Sequence, residues 1–211
     1  MSSDKKPTGI SKVTAQFIGK VSFEPKRTPE GDLGIFVRAV ALNKNRKDES
    51  VLIKLIVKGS LADKLADSVK PGDVAMIRGR NPALVQYREG VSPAFMMPCT
   101  KFKLLKDIES DIHMNISGHL AYASLDPSRA FSIIVVATSP YEGSEPVFYE
   151  ARLFTENRFY VQVGRRVDME VYDCVPFAHK TSQGVLTKRV HCTIGMLQLT
   201  DKRPDAVNQS T

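Results

Sequence analysis

A five-strand pattern that occurs twice is the feature of this sequence that most restricts its fold. Each copy opens on a glycine inside an apolar run, Phe17-Ile18-Gly19-Lys20-Val21 in one and Ile116-Ser117-Gly118-His119-Leu120 in the other. Each later has a glycine turn, Lys70–Val74 or Val163–Val167. The opening glycines are 99 positions apart and the turn glycines 92 apart. A repeat of this length predicts two small all-β units rather than one larger domain.

The order of the predicted elements is three strands, a short helix and two strands in each copy. This is the order of the OB-fold, a five-stranded barrel. We therefore predict an all-β chain of two tandem OB-fold five-stranded barrels, each with one short helix between strands three and four. The first barrel spans residues 11–107 (the first half) and the second spans residues 111–200 (the second half), with polar, flexible tails at 1–10 and 201–211.

The strands are predicted from β-branched, apolar runs bounded by turn residues. In the first half, a helix begins at Ser60, which forms a capping-box-like pair with Asp63, and it stops at Pro71-Gly72. In the second half, a helix capped by Thr155 ends at Gly164. The predicted strands are Lys12–Phe23, Gly34–Leu42, Val51–Lys58, Asp73–Arg80 and Met96–Leu105, then His113–Ala123, Ala130–Thr138, Val147–Phe154, Val167–Cys174 and Leu186–Leu199.

Charge is divided unevenly between the halves. Residues 1–107 carry 20 Lys/Arg against 11 Asp/Glu, whereas residues 108–211 carry 10 against 12. The basic excess favours a polyanionic partner for the first half. Lysines that only keep the surface soluble are the alternative.

Other features of the composition bound the class of protein. Apolar runs fall well short of the roughly 20 residues needed to span a bilayer, so we expect no membrane partner. Three scattered cysteines do not make a disulfide framework. We expect an intracellular location, cytoplasmic or nucleoid-associated, with an organellar or viral origin left open.

Several short motifs resemble the bacterial and mitochondrial single-stranded DNA-binding protein family. Ile18-Gly19-Lys20-Val21 with Glu24-Pro25 resembles that family's opening strand, and Lys70–Val74 with Ile77-Arg78-Gly79-Arg80 resembles its Lys-Gly-x-x-Val turn and following strand. In the second half, Ala130-Phe131-Ser132-Ile133 with Ala137-Thr138-Ser139 resembles its second strand, and Phe148–Phe154 resembles its third. The chain departs from the family in lacking Trp, which the family often uses for stacking.

The resemblance implies a fold, a function and an assembly. It implies OB-folds that bind single-stranded DNA during replication, recombination or repair, and it puts Phe148 at a position that stacks on a base. Because the family works with four barrels per particle, it also implies a homodimer of this two-barrel chain.

Binding of single strands requires basic side chains for phosphates and flat side chains for bases. In an OB-fold these lie on strands two and three and on the first and fourth loops. In the first half the residues of these types are Lys26, Arg27, Phe36, Arg38, Lys44, Arg46, Lys47, Lys54, Tyr87 and Arg88. Phe36 and Arg38 are two apart and so share a face, although Phe36 could instead belong to the core.

The second half supplies fewer candidates and a slightly acidic balance. They are Tyr122 and Tyr141, Phe148 and Arg152 on the third strand, and Phe177 and Lys180, with His179, on the fourth loop. This copy either contacts nucleic acid or uses its aromatic residues against a protein partner.

Catalytic and cofactor motifs are missing from the sequence. It has no phosphate-binding Gly-x-x-x-x-Gly-Lys loop and no Cys-x-x-Cys pair. We expect no enzyme activity, no cofactor, no metal site and no small-molecule substrate. Our leading hypothesis is a single-stranded DNA-binding protein without sequence preference. The alternatives are an RNA-binding OB-fold protein and a structural subunit that docks on other proteins.

Overall fold

The structure is a computed structural model, and it describes residues 11–41, 49–88, 90–106, 108–124, 131–139, 143–153, 163–180 and 186–200. Within these ranges the chain is mostly β-structure with one helix. The elements are β1 (Lys12–Val21), β2 (Lys26–Arg27), β3 (Leu33–Ala41), β4 (Glu49–Val57), α1 (Gly59–Ala66), β5 (Val74–Arg80), β6 (Ala83–Val85), β7 (Ala94–Leu105), β8 (Asp111–Ser124), β9 (Ser132–Thr138), β10 (Val147–Leu153), β11 (Arg166–Lys180) and β12 (Leu186–Leu199).

Five strands of the first half close into a barrel. β1 pairs with β5, β5 with β7, β7 with β4 and β4 with β3, and β3 returns to the end of β1. Only the β4–β7 pairing is parallel. The inward positions are fully buried, and the rings of Phe17 and Phe95 meet there with centroids 5.5 Å apart. The helix adds Ala62 and Leu65 to the same apolar core.

The strands of the second half pair in a corresponding order. β8 pairs with β9, β9 with β10, and β10 with β12 in parallel. β12 pairs with β11, and β11 also pairs with β8. Tyr149 and Val136 are fully buried on the inward side of this set.

The two glycine turns make the same backbone contacts to the two opening strands. Gly72 and Gly164 have φ angles of +93° and +92°, a conformation that glycine adopts without a steric penalty. In each case the turn exchanges two hydrogen bonds with the residue two positions after the opening glycine. The four bonds are Val21 N to Asp73 O (2.8 Å), Gly72 N to Val21 O (2.9 Å), Leu120 N to Arg165 O (2.9 Å) and Gly164 N to Leu120 O (2.8 Å).

Close strand contact explains the two opening glycines themselves. A Cβ on Gly19 would collide with the carbonyl of Arg38 on β3. A Cβ on Gly118 would lie 2.6 Å from the carbonyl oxygen of Ala137 on β9. Both glycines therefore lie where an opening strand packs closely against a neighbouring strand, β3 or β9, and no side chain fits there.

The halves are joined through their opening strands. Lys12–Ile18 of β1 pairs antiparallel with Asp111–Ser117 of β8, so one sheet continues from one half into the other. Ser110, just before β8, donates a hydrogen bond to the carbonyl of Ile18 (2.8 Å) and accepts one from the amide of Val40 (2.6 Å). The predicted second barrel begins at residue 111, which lies at this joint.

Most predicted strands are present, with shifted ends, and four local expectations were wrong. The helix begins at Gly59, and no side chain caps it, so the expected Ser60–Asp63 capping pair does not form. The expected turn before β3 contains the short strand β2, and the expected fourth loop of the first half contains β6. In the second half, β11 continues to Lys180 instead of ending at Cys174.

The second helix, expected to begin at Thr155, falls mainly outside the described residues. No helix within the described ranges has the length and apolar character needed to cross a bilayer.

Candidate nucleic-acid interface

The outward face of β3 and β4 is the first place where candidate residues meet. Burial alternates along β3, with Ile35, Val37 and Ala39 inside the barrel and Phe36 and Arg38 on the outer face. Phe36 is therefore not a core residue. Lys54 lies directly opposite Phe36 on β4, so an aromatic and a basic side chain share the centre of this face.

Three aromatic rings form a continuous cluster on this face. Phe36 packs edge-on against Phe23, with centroids 5.7 Å apart, and against Tyr87, with centroids 6.2 Å apart. Phe23 is 53% exposed and Tyr87 is 48% exposed, so both present ring surface to solvent. Partial burial raises the pKa of the Tyr87 hydroxyl above its usual value.

One basic side chain contacts this aromatic cluster, and three others are exposed nearby in the strands or in the sequence. The Lys54 ammonium lies 5.8 Å from the centre of the Phe36 ring, within the range of a cation–π contact. Arg38 is exposed two positions along β3, Lys26 is exposed on β2, and Arg88 is exposed next to Tyr87. Exposed rings with a cation beside the central ring provide both contacts that a single strand needs, stacking for bases and charge for phosphates.

Some basic candidates already have partners within the protein. Arg27 donates hydrogen bonds to the carboxylate of Asp63 on α1 (2.7 Å) and to the carbonyl of Gly31 (2.9 Å). Its guanidinium is thus engaged in holding the β2 turn against the helix. Lys44, Arg46 and Lys47 lie outside the described residues.

In the second half, a groove of about 450 Å³ lies on the outward faces of β8, β9, β10 and β12. Two candidates line it, Phe148 and Tyr122, and Tyr122 is 52% exposed. The groove also contains a charged pair, since Arg189 donates to the carboxylate of Glu150 at 3.1 Å. Its charge is therefore largely balanced within the protein.

The remaining described candidates of the second half do not line this groove. Arg152 is exposed, and its guanidinium lies 4.9 Å from the ring of Phe131. Phe177 stacks on His191, with centroids 3.9 Å apart and rings nearly parallel. Phe177 and Lys180 lie in β11 and not in a loop, which corrects the sequence-based placement; β11 and β12 extend together as a long hairpin. Tyr141 lies outside the described residues.

Strand register shows how the two outward faces correspond. Lys20 pairs with Arg38 and His119 with Ala137, each pair separated from its counterpart by 99 positions. Two residues earlier on these strands, Phe36 of β3 corresponds to Val135 of β9. Phe36 pairs with Lys54 on β4, and Val135 pairs with Glu150 on β10. The residue pair at the centre of the outward face is therefore Phe36–Lys54 in the first half and Val135–Glu150 in the second.

Sequence reasoning missed several residues of these two faces. Phe23 was assigned to the opening strand, but β1 ends at Val21 and leaves the Phe23 ring on the surface. Glu150, Arg189 and His191 were not selected, because their meeting depends on the parallel pairing of β10 with β12. The Glu24-Pro25 pair after Phe23 was the one available signal that the strand ends early.

In the part of the chain that the structure describes, no three His, Cys, Asp or Glu side chains are grouped to hold an ion.

Comparison with known proteins identifies the fold. No protein-family model matches the chain, and no curated protein matches it. Its structure is similar to the crystal structure of the wild-type single-stranded DNA-binding protein from Thermus aquaticus, with a TM-score of 0.64 and 12% identity over 94% of this chain and 97% of that one. A deletion mutant of the same Thermus protein gives a TM-score of 0.58 and 12% identity over 92% and 98%.

These matches and the closed five-strand barrel define the class of fold. The chain has the OB-type architecture of single-stranded DNA-binding proteins. The particular similarity is to the Thermus aquaticus protein, and at 12% identity it concerns the fold alone.

Proposed function

We propose that this protein binds single-stranded DNA without sequence preference, using the outward face of β3 and β4 as its main contact surface. The observation that carries the proposal is the exposed cluster of Phe23, Phe36 and Tyr87 with Lys54 beside the central ring. Exposed rings that touch one another cost hydrophobic free energy when left in water, and stacked bases would cover them.

The proposal includes two tandem OB-fold barrels in one chain. The pairing of β11 with both β12 and β8 supports a second ring, and so do the matching hydrogen bonds at the two glycine turns. A homodimer would then contain four barrels, and the sequence resemblance favours that assembly.

The proposed role is to coat strands opened during replication, recombination or repair. Coating would block re-annealing and keep nucleases from the strand. The affinity would come from phosphate neutralisation and base stacking, so it should fall as salt rises. The proposal involves no catalysis and no cofactor, and it puts the protein inside the cell with unwound DNA.

A direct titration tests the proposal. Fluorescently labelled poly-dT, poly-U and duplex DNA of equal length would be titrated with the full chain at two salt concentrations. We expect tight, salt-sensitive binding to poly-dT and weak binding to the duplex. A duplex exposes few base faces, so equal duplex binding would contradict the stacking surface.

The other outcomes separate the rival functions. Equal or tighter binding to poly-U would identify an RNA-binding protein, because only contacts to the 2′-hydroxyl distinguish the two strands. Absence of binding to every strand at low salt would overturn the nucleic-acid proposal and leave a protein-docking role. Charge reversal at Lys44, Arg46 and Lys47 adds a second test, since unchanged strand binding would favour docking.

A further inference from the structure

The groove of the second half is lined by two aromatic side chains, by apolar side chains and by one pair of oppositely charged side chains. Tyr122 and Phe148 supply aromatic surface, Ile133 and Val135 supply an apolar floor, and Glu150 and Arg189 bring charge to the same space. The volume of about 450 Å³ exceeds that of a single nucleobase. The floor comes from β9, and the polar side chains come from β10 and β12, so rigid strands position every group.

The carboxylate of Glu150 is held in a fixed position. One oxygen accepts from Arg189 at 3.1 Å, and the other lies 3.6 Å from Nδ1 of His191. The side chains of Glu150 and Arg189 are 20% and 27% exposed, so both are partly removed from water yet can be reached from the groove. Each carboxylate oxygen has two lone pairs, and a guanidinium has five N–H donors, so both groups can take further hydrogen bonds.

We propose that this groove is a subsite for an unpaired nucleobase with an exocyclic amino group, and that it favours cytosine over thymine. This inference rests on the proposed function, because it assigns a base preference to part of the same strand-binding surface. The amino group of cytosine donates to the Glu150 carboxylate, and its ring nitrogen and carbonyl oxygen accept from Arg189. Thymine has a carbonyl oxygen in place of the amino group, and the carboxylate repels it.

The matching position of the first half does not discriminate between bases in this way. At the corresponding register position it has Lys54, a donor that attracts phosphate and any carbonyl, beside the ring of Phe36. Stacking on that ring is open to every base, because every base has a π-face. One chain would thus hold a base-tolerant surface in its first half and a base-reading groove in its second.

The experiment compares three short oligonucleotides of equal length on the full chain. They are oligo-dC, oligo-dT and an oligonucleotide of pyrimidin-2-one, which is cytosine without its amino group. We expect oligo-dC to bind about fivefold more tightly than either of the others, the low end of what a charged hydrogen-bonded pair discriminates. Equal binding of oligo-dC and pyrimidin-2-one would overturn the inference, and this comparison needs no variant protein.

A matched pair of variants assigns the preference to the groove. Glu150→Gln keeps the shape of the side chain, but its amide can donate to thymine, so the preference for oligo-dC should disappear. Glu145→Gln is the control, because Glu145 also faces a basic side chain, Lys188 at 4.0 Å, but is 92% exposed and lies outside the groove. It should leave the preference unchanged. A thermal melt of each variant would show whether it is folded.

The outcomes distinguish the inference from the proposed function. If the chain binds no oligonucleotide, the proposed function fails. If it binds all three alike, or if Glu150→Gln keeps the preference, the chain remains a strand-binding protein and only the base-reading groove is refuted.

Discussion

The two halves of this protein share several backbone contacts and a similar order of strand pairing, but they present different outward faces. Their opening glycines, their glycine turns and the order of strand pairing correspond closely. At the matched centre of the outward face, however, Phe36 and Lys54 in the first half correspond to Val135 and Glu150 in the second.

This difference shows which positions the fold constrains. The features that both halves share are backbone contacts at the opening glycines, where only glycine fits, and inward positions that must be apolar. Outward positions carry no such requirement, so they can change from basic to acidic without altering the strands. Matching backbone contacts therefore do not by themselves show that both halves contact a strand in the same way.

The largest expected effect tests whether the halves are structurally equivalent. Gly19→Ala and Gly118→Ala should each lower the free energy of unfolding by about 2–3 kcal/mol, because the new Cβ meets a backbone carbonyl that cannot rotate away. Gly34→Ala is the control, since its Cβ would have its nearest contact at 3.4 Å. Urea unfolding followed by circular dichroism measures all three. If only one of the two variants lost stability, the two opening glycines would not be structurally equivalent.

The next effect compares aromatic residues on the two outward faces. Phe36→Leu should weaken binding of oligo-dT by about tenfold to thirtyfold, since base stacking is lost while the apolar contact with the sheet is kept. Phe148→Leu should cost less, because that ring borders a groove whose charge is already paired. Fluorescence anisotropy on the two variants gives the ratio. A larger loss at Phe148 would make the second half the main binding surface.

A smaller effect concerns Lys54 and Glu150, the charged residues at corresponding positions of the two outward faces. Lys54→Gln should weaken binding about threefold at low salt and reduce the slope of log affinity against log salt by about 0.7, the value for one phosphate contact on a single strand. Glu150→Gln should not reduce that slope, since the carboxylate releases no counterion from DNA. Titrations at four or more salt concentrations give both slopes. Equal slopes for wild type and Lys54→Gln would remove Lys54 from the phosphate contacts.

The smallest expected effect lies within the second half, where β11 pairs with β8. Glu170 on β11 accepts a hydrogen bond from the Tyr172 hydroxyl (2.8 Å) and lies 2.9 Å from Nε2 of His113 on β8. The Tyr172 hydrogen bond, and then the contact with His113, hold the pKa of this carboxyl below its usual 4.5. The ionised form is thus favoured by folding. Its contribution to stability is complete above the unfolded-state pKa and is lost as pH falls through the lower folded-state pKa.

Glu170→Gln tests this contribution by its pH dependence. The variant should be slightly less stable than wild type at pH 7, and the difference should vanish in strongly acidic solution. Urea midpoints at both pH values measure it. A difference that persists in acid would mean that the contact is not electrostatic.

Much of the fold follows from local sequence signals. The glycines at 19, 72, 118 and 164 and the apolar runs between them located most strands, because strand patterning and turn conformations depend on neighbouring residues. The end of β11 was wrong because Asp173, with a φ of +50°, makes an irregularity that the strand passes through and continues beyond. Only the partner strand β12 supports that continuation, and a partner cannot be read from local pattern.

The candidate site was predictable in part. The two-residue spacing of Phe36 and Arg38 correctly put them on one face, and burial resolves the open question of whether Phe36 is in the core. The pairing of Arg27 with Asp63, 36 positions away in sequence, could not be foreseen. The same holds for Glu150 and Arg189, 39 positions apart, which meet only through a parallel pairing.

The pairing of β1 with β8 has a consequence for how the chain can be divided. Over Lys12–Ile18 and Asp111–Ser117, each strand supplies the neighbour that the other lacks on that side. Separated halves would each expose seven residues of unpaired strand edge, which is a template for aggregation. Pairing of the two halves therefore covers both strand edges and prevents self-association through them. Because the halves are covalently linked, these two edges are close together and pair before either meets another molecule.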